Sequence, residues 1–379
     1  MSIEHKHISE ISHNEYTEYI YDETCFGDPV NPNTADDVAA GINCAIELEH
    51  HSAFLEGLSA RLVQLGLTCT PEDTDIMLTE VKQRYKTVLG KSCPKAVKNW
   101  IKGTMPGVTN RLNNYDLCFA LEMDFHQTAI FFQKYFLTLP FNCKSKTDAI
   151  FLYCLYHQKS YSIVRQMLEE SSGFVSQENA HTATSQIFST IIGTDNDEKF
   201  IRYLSQHCYD NEQQFQLARN IINSEIEIIK KSIALDPAID KVSNNRLNSL
   251  TIAVLLGYKY QNRDRETDKK KKIKLPKRFT KSLPNDVTLG RIINGESISY
   301  EVLRKTLMLL KFYNFYNGAE NTDRNTIAQN LMDFYDELNC TLLSCGFAQI
   351  YVRHPFDCLL LYCANSYDPI LTFQYVNDC

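Results

Sequence analysis

Glycine and proline are scarce in this chain, 14 and 11 among 379 residues, too few to close the many tight turns of a β-sandwich or barrel. Tryptophan occurs once, at Trp100. No apolar run approaches the ~20 residues that a membrane helix needs, and the opening MSIEHKHISEISHNEYTEYIYDE is polar and acidic, unlike a secretory leader. No C-x-x-C pair occurs among the 13 cysteines, whose odd number and scatter predict reduced thiols packed as small apolar groups, in a cytoplasmic protein without zinc. The chain also lacks H-E-x-x-H, a G-x-S-x-G elbow, a P-loop and G-x-G-x-x-G. Its ten histidines show no metal-ligand spacing, and Asp333, Asp336 and Glu337 read as one solvated helix face. No enzyme, catalytic residue, cofactor or metal is therefore expected.

What is present is hydrophobic periodicity. Apolar residues make up 44% of the chain and recur at helical spacing, as in Leu48, Phe54, Leu55, Leu58, Leu62 and Leu65, or Ile221, Ile222, Ile226, Ile229 and Ile233. This predicts an all-α fold. Composition divides it into residues 1–73, an arm with the first helices; 74–140, a compact helical domain; 141–262, an array of helical hairpins; and 263–379, a basic linker followed by an aromatic-rich helical block. The linker RDRETDKKKKIKLPKR reads as a solvated basic loop. Thr34 is expected to cap one helix, and another is expected to start at Pro71 and stop near Gly90.

Charge is the second signal. The net charge is −7, yet Val81 to Tyr115 contains eight basic residues and no aspartate or glutamate. Such a local field suits phosphate neutralisation on a nucleic acid. Within it, KSCPKAVKNWIKG predicts a helix capped by Ser92, running to Ile101 and ended by Gly103. Val97, Trp100 and Ile101 share one face, while Lys95, Lys98, Asn99 and Lys102 point elsewhere.

The order VKNWIKG, Pro106, RLNNYDLCFALEMD and FHQTAIFF, over about residues 74–136, resembles the Cro/C1-repressor (Xre-like) helix-turn-helix family. The resemblance implies that Ser92–Lys102 is a recognition helix and that the protein is a transcriptional regulator binding double-stranded DNA. On that expectation Lys82, Lys91, Lys95, Lys98 and Lys102 meet phosphates, while Ser92 and Asn99 face base edges. The third block repeats part of the grammar in IING before a leucine-bearing helix. Its aromatic stripes, Phe312–Tyr316 and the ending after His354, are expected mainly in the core, with a homodimer or protein partner as a further use. The alternative reading is a non-enzymatic α-helical interaction protein, associated with mobile elements or phage defence, whose basic patch binds RNA or an acidic protein.

Overall fold

A computed structural model describes residues 53–104, 106, 111–136, 138, 140–172, 184–209, 211–235, 283–296, 298–319, 321–350 and 354–377. The expected helix at Thr34, the arm before it and the lysine-rich linker lie outside the described residues. Among those described there are fifteen α-helices, one π-helical turn and no strand, so the fold is all-α. No described helix is long and apolar enough to cross a membrane. No group of three or more potential metal-ligating side chains gathers among the described residues.

These residues divide into two compact units, one drawn from His50–Gln214 and Leu342–Tyr351, the other from Phe215–Thr341 and Val352–Cys379. The expected boundary at residue 140 falls inside the first unit. That unit contains α1 (Ala53–Gln64), α2 (Thr74–Val88), α3 (Lys95–Ile101), α4 (Arg111–Ala120), α5 (Phe125–Phe131), a π turn (Phe132–Phe136), α6 (Lys146–Tyr156), α7 (Tyr161–Glu170), α8 (Thr184–Gly193) and α9 (Asp197–His207). Helix α2 begins three residues later than Pro71, with Asp73 at its N-cap. It ends as expected: Gly90 adopts φ +65° and the Lys91 amide donates to the Tyr85 carbonyl, which closes the last turn.

Local chemistry explains the other boundaries. Asp124 and Gln127 form a reciprocal capping box at the start of α5, and Asn196 caps α9 through the Lys199 amide. Helix α6 is buried on every side from Ala149 to Leu155 and forms the axis against which α7 and α8 pack. Helix α7 is strongly amphipathic, burying Tyr161, Val164 and Met167. The short segment Leu342–Tyr351 joins this core, where the Asn142 amide donates to the Phe347 carbonyl at 2.8 Å.

Gly57 lets α1 lie against the π turn, since a Cβ there would stand 2.5 Å from the Tyr135 ring. The contact is backbone to aromatic face, and no larger residue fits it without moving one element.

The second unit contains α10 (Asn211–Leu235), α11 (Asp286–Ile293), α12 (Tyr300–Tyr316), α13 (Arg324–Ser344), α14 (Pro355–Ala364) and α15 (Pro369–Asn377), the ranges of α10 and α13 running slightly past its bounds. Phe312 meets Phe334 and Phe373, and Tyr316 also meets Phe334, so the aromatic stripe lies mainly in this core, as expected. Tyr367 remains 40% exposed. At the centre Arg304 donates two hydrogen bonds of 2.8 Å to Asp357, with both side chains buried. Burial alone would raise the Asp357 carboxyl, but the guanidinium and nearby His354 outweigh it and hold it well below the usual carboxylate range.

Two stability outcomes follow. Gly57→Ala overpacks the Tyr135 contact and should cost roughly 1–3 kcal/mol in denaturant unfolding; an unchanged midpoint would mean the ring moves freely. Asp357→Asn should cost about 3–5 kcal/mol at neutral pH by leaving Arg304 uncompensated. Because the folded-state pKa is depressed, the carboxylate's contribution is complete above an unfolded value of ~3.9 and is lost as pH falls through the lower folded value. The gap between wild type and variant should therefore narrow in acid.

Candidate nucleic-acid interface

Helix α3 starts at Lys95, not at Ser92. Pro94 sits at the N-cap in an extended conformation and supplies no side-chain cap. A proline also disfavours helical geometry in the residue before it, so Cys93 cannot extend the helix backward. Ser92 is consequently exposed in the linker, three residues ahead of the first turn. The C-terminal end matches expectation: Gly103 takes φ +101°, its amide donates to the Trp100 carbonyl, and the Thr104 amide donates to the Asn99 carbonyl.

Val97, Trp100 and Ile101 are buried and attach α3 to the unit. Trp100 lies edge-on to Phe54 at 6.2 Å and 6.0 Å from Phe136, while Phe54 stacks on Phe136. The ring cluster thus ties α3 to α1 and the π turn. On the opposite side Lys95, Asn99 and Lys102 are exposed and Lys98 is half-buried, a stripe at helical spacing. Lys98 can lay its methylenes along the protein while its ammonium reaches water.

The eight basic residues separate into two groups. Arg84 pairs with Glu80 at 2.8 Å and Glu122 at 3.3 Å, Lys91 with Asp116 at 2.5 Å, and Arg111 with Asp148. All four acids lie outside the acid-free segment. Lys82, Lys86, Lys95, Lys98 and Lys102 form no ion pair among the described residues. They carry the field that faces outward.

Lys91 is the clearest departure from the expected phosphate contacts. Its ammonium donates to Asp116 and, at 2.6 Å, to the Tyr161 hydroxyl, which itself donates to Asp116 at 2.6 Å. Asp116 is 1% exposed. A charge so deep requires a partner, and Lys91 and Tyr161 supply it from the α2–α3 linker and from α7. Burial pushes the Tyr161 phenol up, and the hydrogen bond to Asp116 pushes it further. Lys91, with its side chain 34% exposed, thus differs from the five lysines that form no ion pair among the described residues.

Lys82 on α2 and Lys98 on α3 both act electrostatically on Cys93. Burial raises that thiol, while Lys98 and then Lys82 pull it back down. The unpaired lysines thus come from two helices, Lys82 and Lys86 from α2, and Lys95 and Lys98 with the C-capping Lys102 from α3. Sequence reading missed Asp116 and Tyr161. The available signal was an aspartate flanked by Tyr115 and Leu117 on a helix whose neighbours are apolar.

Comparison with protein-family models, curated proteins and solved structures finds no match. The resemblance to Cro/C1 repressors rests on the quoted residues of α3, α4 and α5.

Replacing Trp100 with alanine should destabilise the protein by about 3–5 kcal/mol, since it removes a buried ring packed against Phe54 and Phe136. Denaturant unfolding monitored by circular dichroism measures this. A loss below about 1 kcal/mol would show that α3 is not anchored by its tryptophan.

Proposed function

We propose that the chain is a DNA-binding regulator of Cro/Xre type that presents α3 to double-stranded DNA. The observation that carries this reading is the outward stripe of Lys95, Lys98, Asn99 and Lys102 on a helix anchored from behind by Trp100. Lys82 and Lys86 extend the positive face along α2. In this reading the lysines neutralise phosphates and set the register. Asn99, whose amide offers one donor and one acceptor side by side, reads an adenine edge in the major groove. Ser92, exposed in the linker, offers a hydroxyl to a neighbouring base or phosphate.

The second reading is that the same face binds RNA or an acidic protein, and the length of α3 favours it. Seven residues span only ~10 Å, which suits a backbone contact better than a long groove contact.

Titration of labelled duplexes from a random-sequence pool, across a salt series and with nonspecific competitor, tests the proposal. DNA binding predicts enrichment of one sequence and a linear fall of log K with log salt. Lys98→Met should weaken all duplexes alike and reduce the salt slope by about 0.9. Lys91→Met should lower stability yet leave that slope unchanged, because its charge already belongs to Asp116. Asn99→Ala should cost about 1–3 kcal/mol on the preferred site and little elsewhere. Equal losses on every sequence for Asn99→Ala would sink the base-reading role, and absence of duplex binding at low salt would remove DNA as the partner.

A further inference from the structure

Two short stretches of the first unit carry one pattern. Val81–Lys86 on α2 reads VKQRYK, and Val97–Lys102 at the end of α3 reads VKNWIK. In both, valine stands first, lysines stand second and sixth, and a side-chain amide stands third. The structure gives both stretches the same orientation to the core. Val81 and Val97 are fully buried, and so are Tyr85 and Ile101 at the fifth position. Lys82, Gln83 and Lys86 are exposed, as are Asn99 and Lys102, with Lys98 half-buried. With ~3.6 residues per turn, the third position lies nearly opposite the first and fifth. Each helix therefore aims its amide away from the core, beside two lysines.

The fourth position serves the fold in both stretches. Trp100 anchors α3 in the ring cluster, and Arg84 is tied to Glu80 and Glu122. The outward positions are uncommitted. Lys82, Lys86, Lys98 and Lys102 form no ion pair among the described residues, and the side-chain amides of Gln83 and Asn99 make no hydrogen bond there. The neutral polar neighbours of Gln83 on α2 are spent: Thr79 and Thr87 donate their hydroxyls back to the Asp75 and Gln83 carbonyls.

A free amide beside two free ammonium groups suits a duplex. Lysines take phosphates without regard to sequence, and the amide of glutamine, like that of asparagine, matches the N6/N7 edge of adenine. An acidic protein would engage the lysines and leave both amides without a set partner. Helix α2 also has the length that α3 lacks, its 15 residues spanning ~22 Å.

We propose that α2 is a second reading helix of the same DNA site, with Gln83 on an adenine edge and Lys82 and Lys86 on the phosphates beside it. The inference rests on the DNA-binding reading and extends it: the preferred sequence contains two base positions, one read from each helix.

Selection of duplexes from a random-sequence pool by the full chain, repeated with Gln83→Ala and with Asn99→Ala, tests it. The wild-type chain should select two separate adenine positions. Gln83→Ala should lose about tenfold of the discrimination at one position and keep the other, and Asn99→Ala should do the reverse. Because Gln83 is exposed, its replacement should leave the denaturant midpoint unchanged, while Lys82→Met should weaken all duplexes alike. A Gln83→Ala variant that weakens every duplex equally, or none, overturns the inference and leaves Asn99 its role. Selection of a single position, lost with Asn99→Ala alone, overturns it in the same way. If the wild-type chain binds no duplex at low salt, the inference falls together with the reading beneath it.

Discussion

The carboxylate of Asp116 is the constraint on which the display of the basic face depends. It lies in the interior of the first unit, where an unpaired charge would cost several kcal/mol. That cost draws Lys91 inward from the linker and fixes the Tyr161 hydroxyl on α7 against both. The linker between α2 and α3 is held at its start by this network and at its end by Pro94 and Cys93. Helix α3 is then oriented by its buried Val97, Trp100 and Ile101, and its lysines have one direction left to face. The outward charge is therefore a by-product of inward pairing: three of the eight basic groups compensate acids, and five remain for solvent or a ligand.

The same physics recurs elsewhere in the chain. Arg111 with Asp148 in the first unit and Arg304 with Asp357 in the second are likewise buried or nearly so. Such pairs add little net stability compared with a packed apolar core. Their effect is selective, because any packing that separates the partners strands a charge. Aromatic clusters fill the space around them without demanding one geometry, and the charged pairs supply that demand.

Much of the fold was legible in the sequence because helices and their ends are local. The periodic stripes gave the helices, Gly90 and Gly103 gave two helix ends, and the break at Asp124 coincides with a capping box. The Ser92 cap was misplaced because Pro94, two residues later, has the stronger claim on where the helix begins. What could not be read were the long-range pairings. Lys91 with Asp116, Arg111 with Asp148 and Arg304 with Asp357 are separated by 25, 37 and 53 residues, and no period or spacing announces them. The candidate face suffered accordingly: an acid-free segment looked uniformly available, although part of it was already committed to acids beyond its ends. The association of Leu342–Tyr351 with a core more than a hundred residues upstream was invisible for the same reason.

The Lys91, Asp116 and Tyr161 network also bears on how this arrangement could be inherited. Helical domains are often imagined as portable cassettes, exchanged between proteins by cutting on either side. A cassette cut at residue 140 would carry Asp116 without Tyr161 and Arg111 without Asp148, since both missing partners lie downstream. The transplanted piece would have unmatched polar groups in its interior and no reason to keep its original shape. The smallest heritable unit therefore extends at least through α7, and recombination inside it would be selected against wherever that shape is needed.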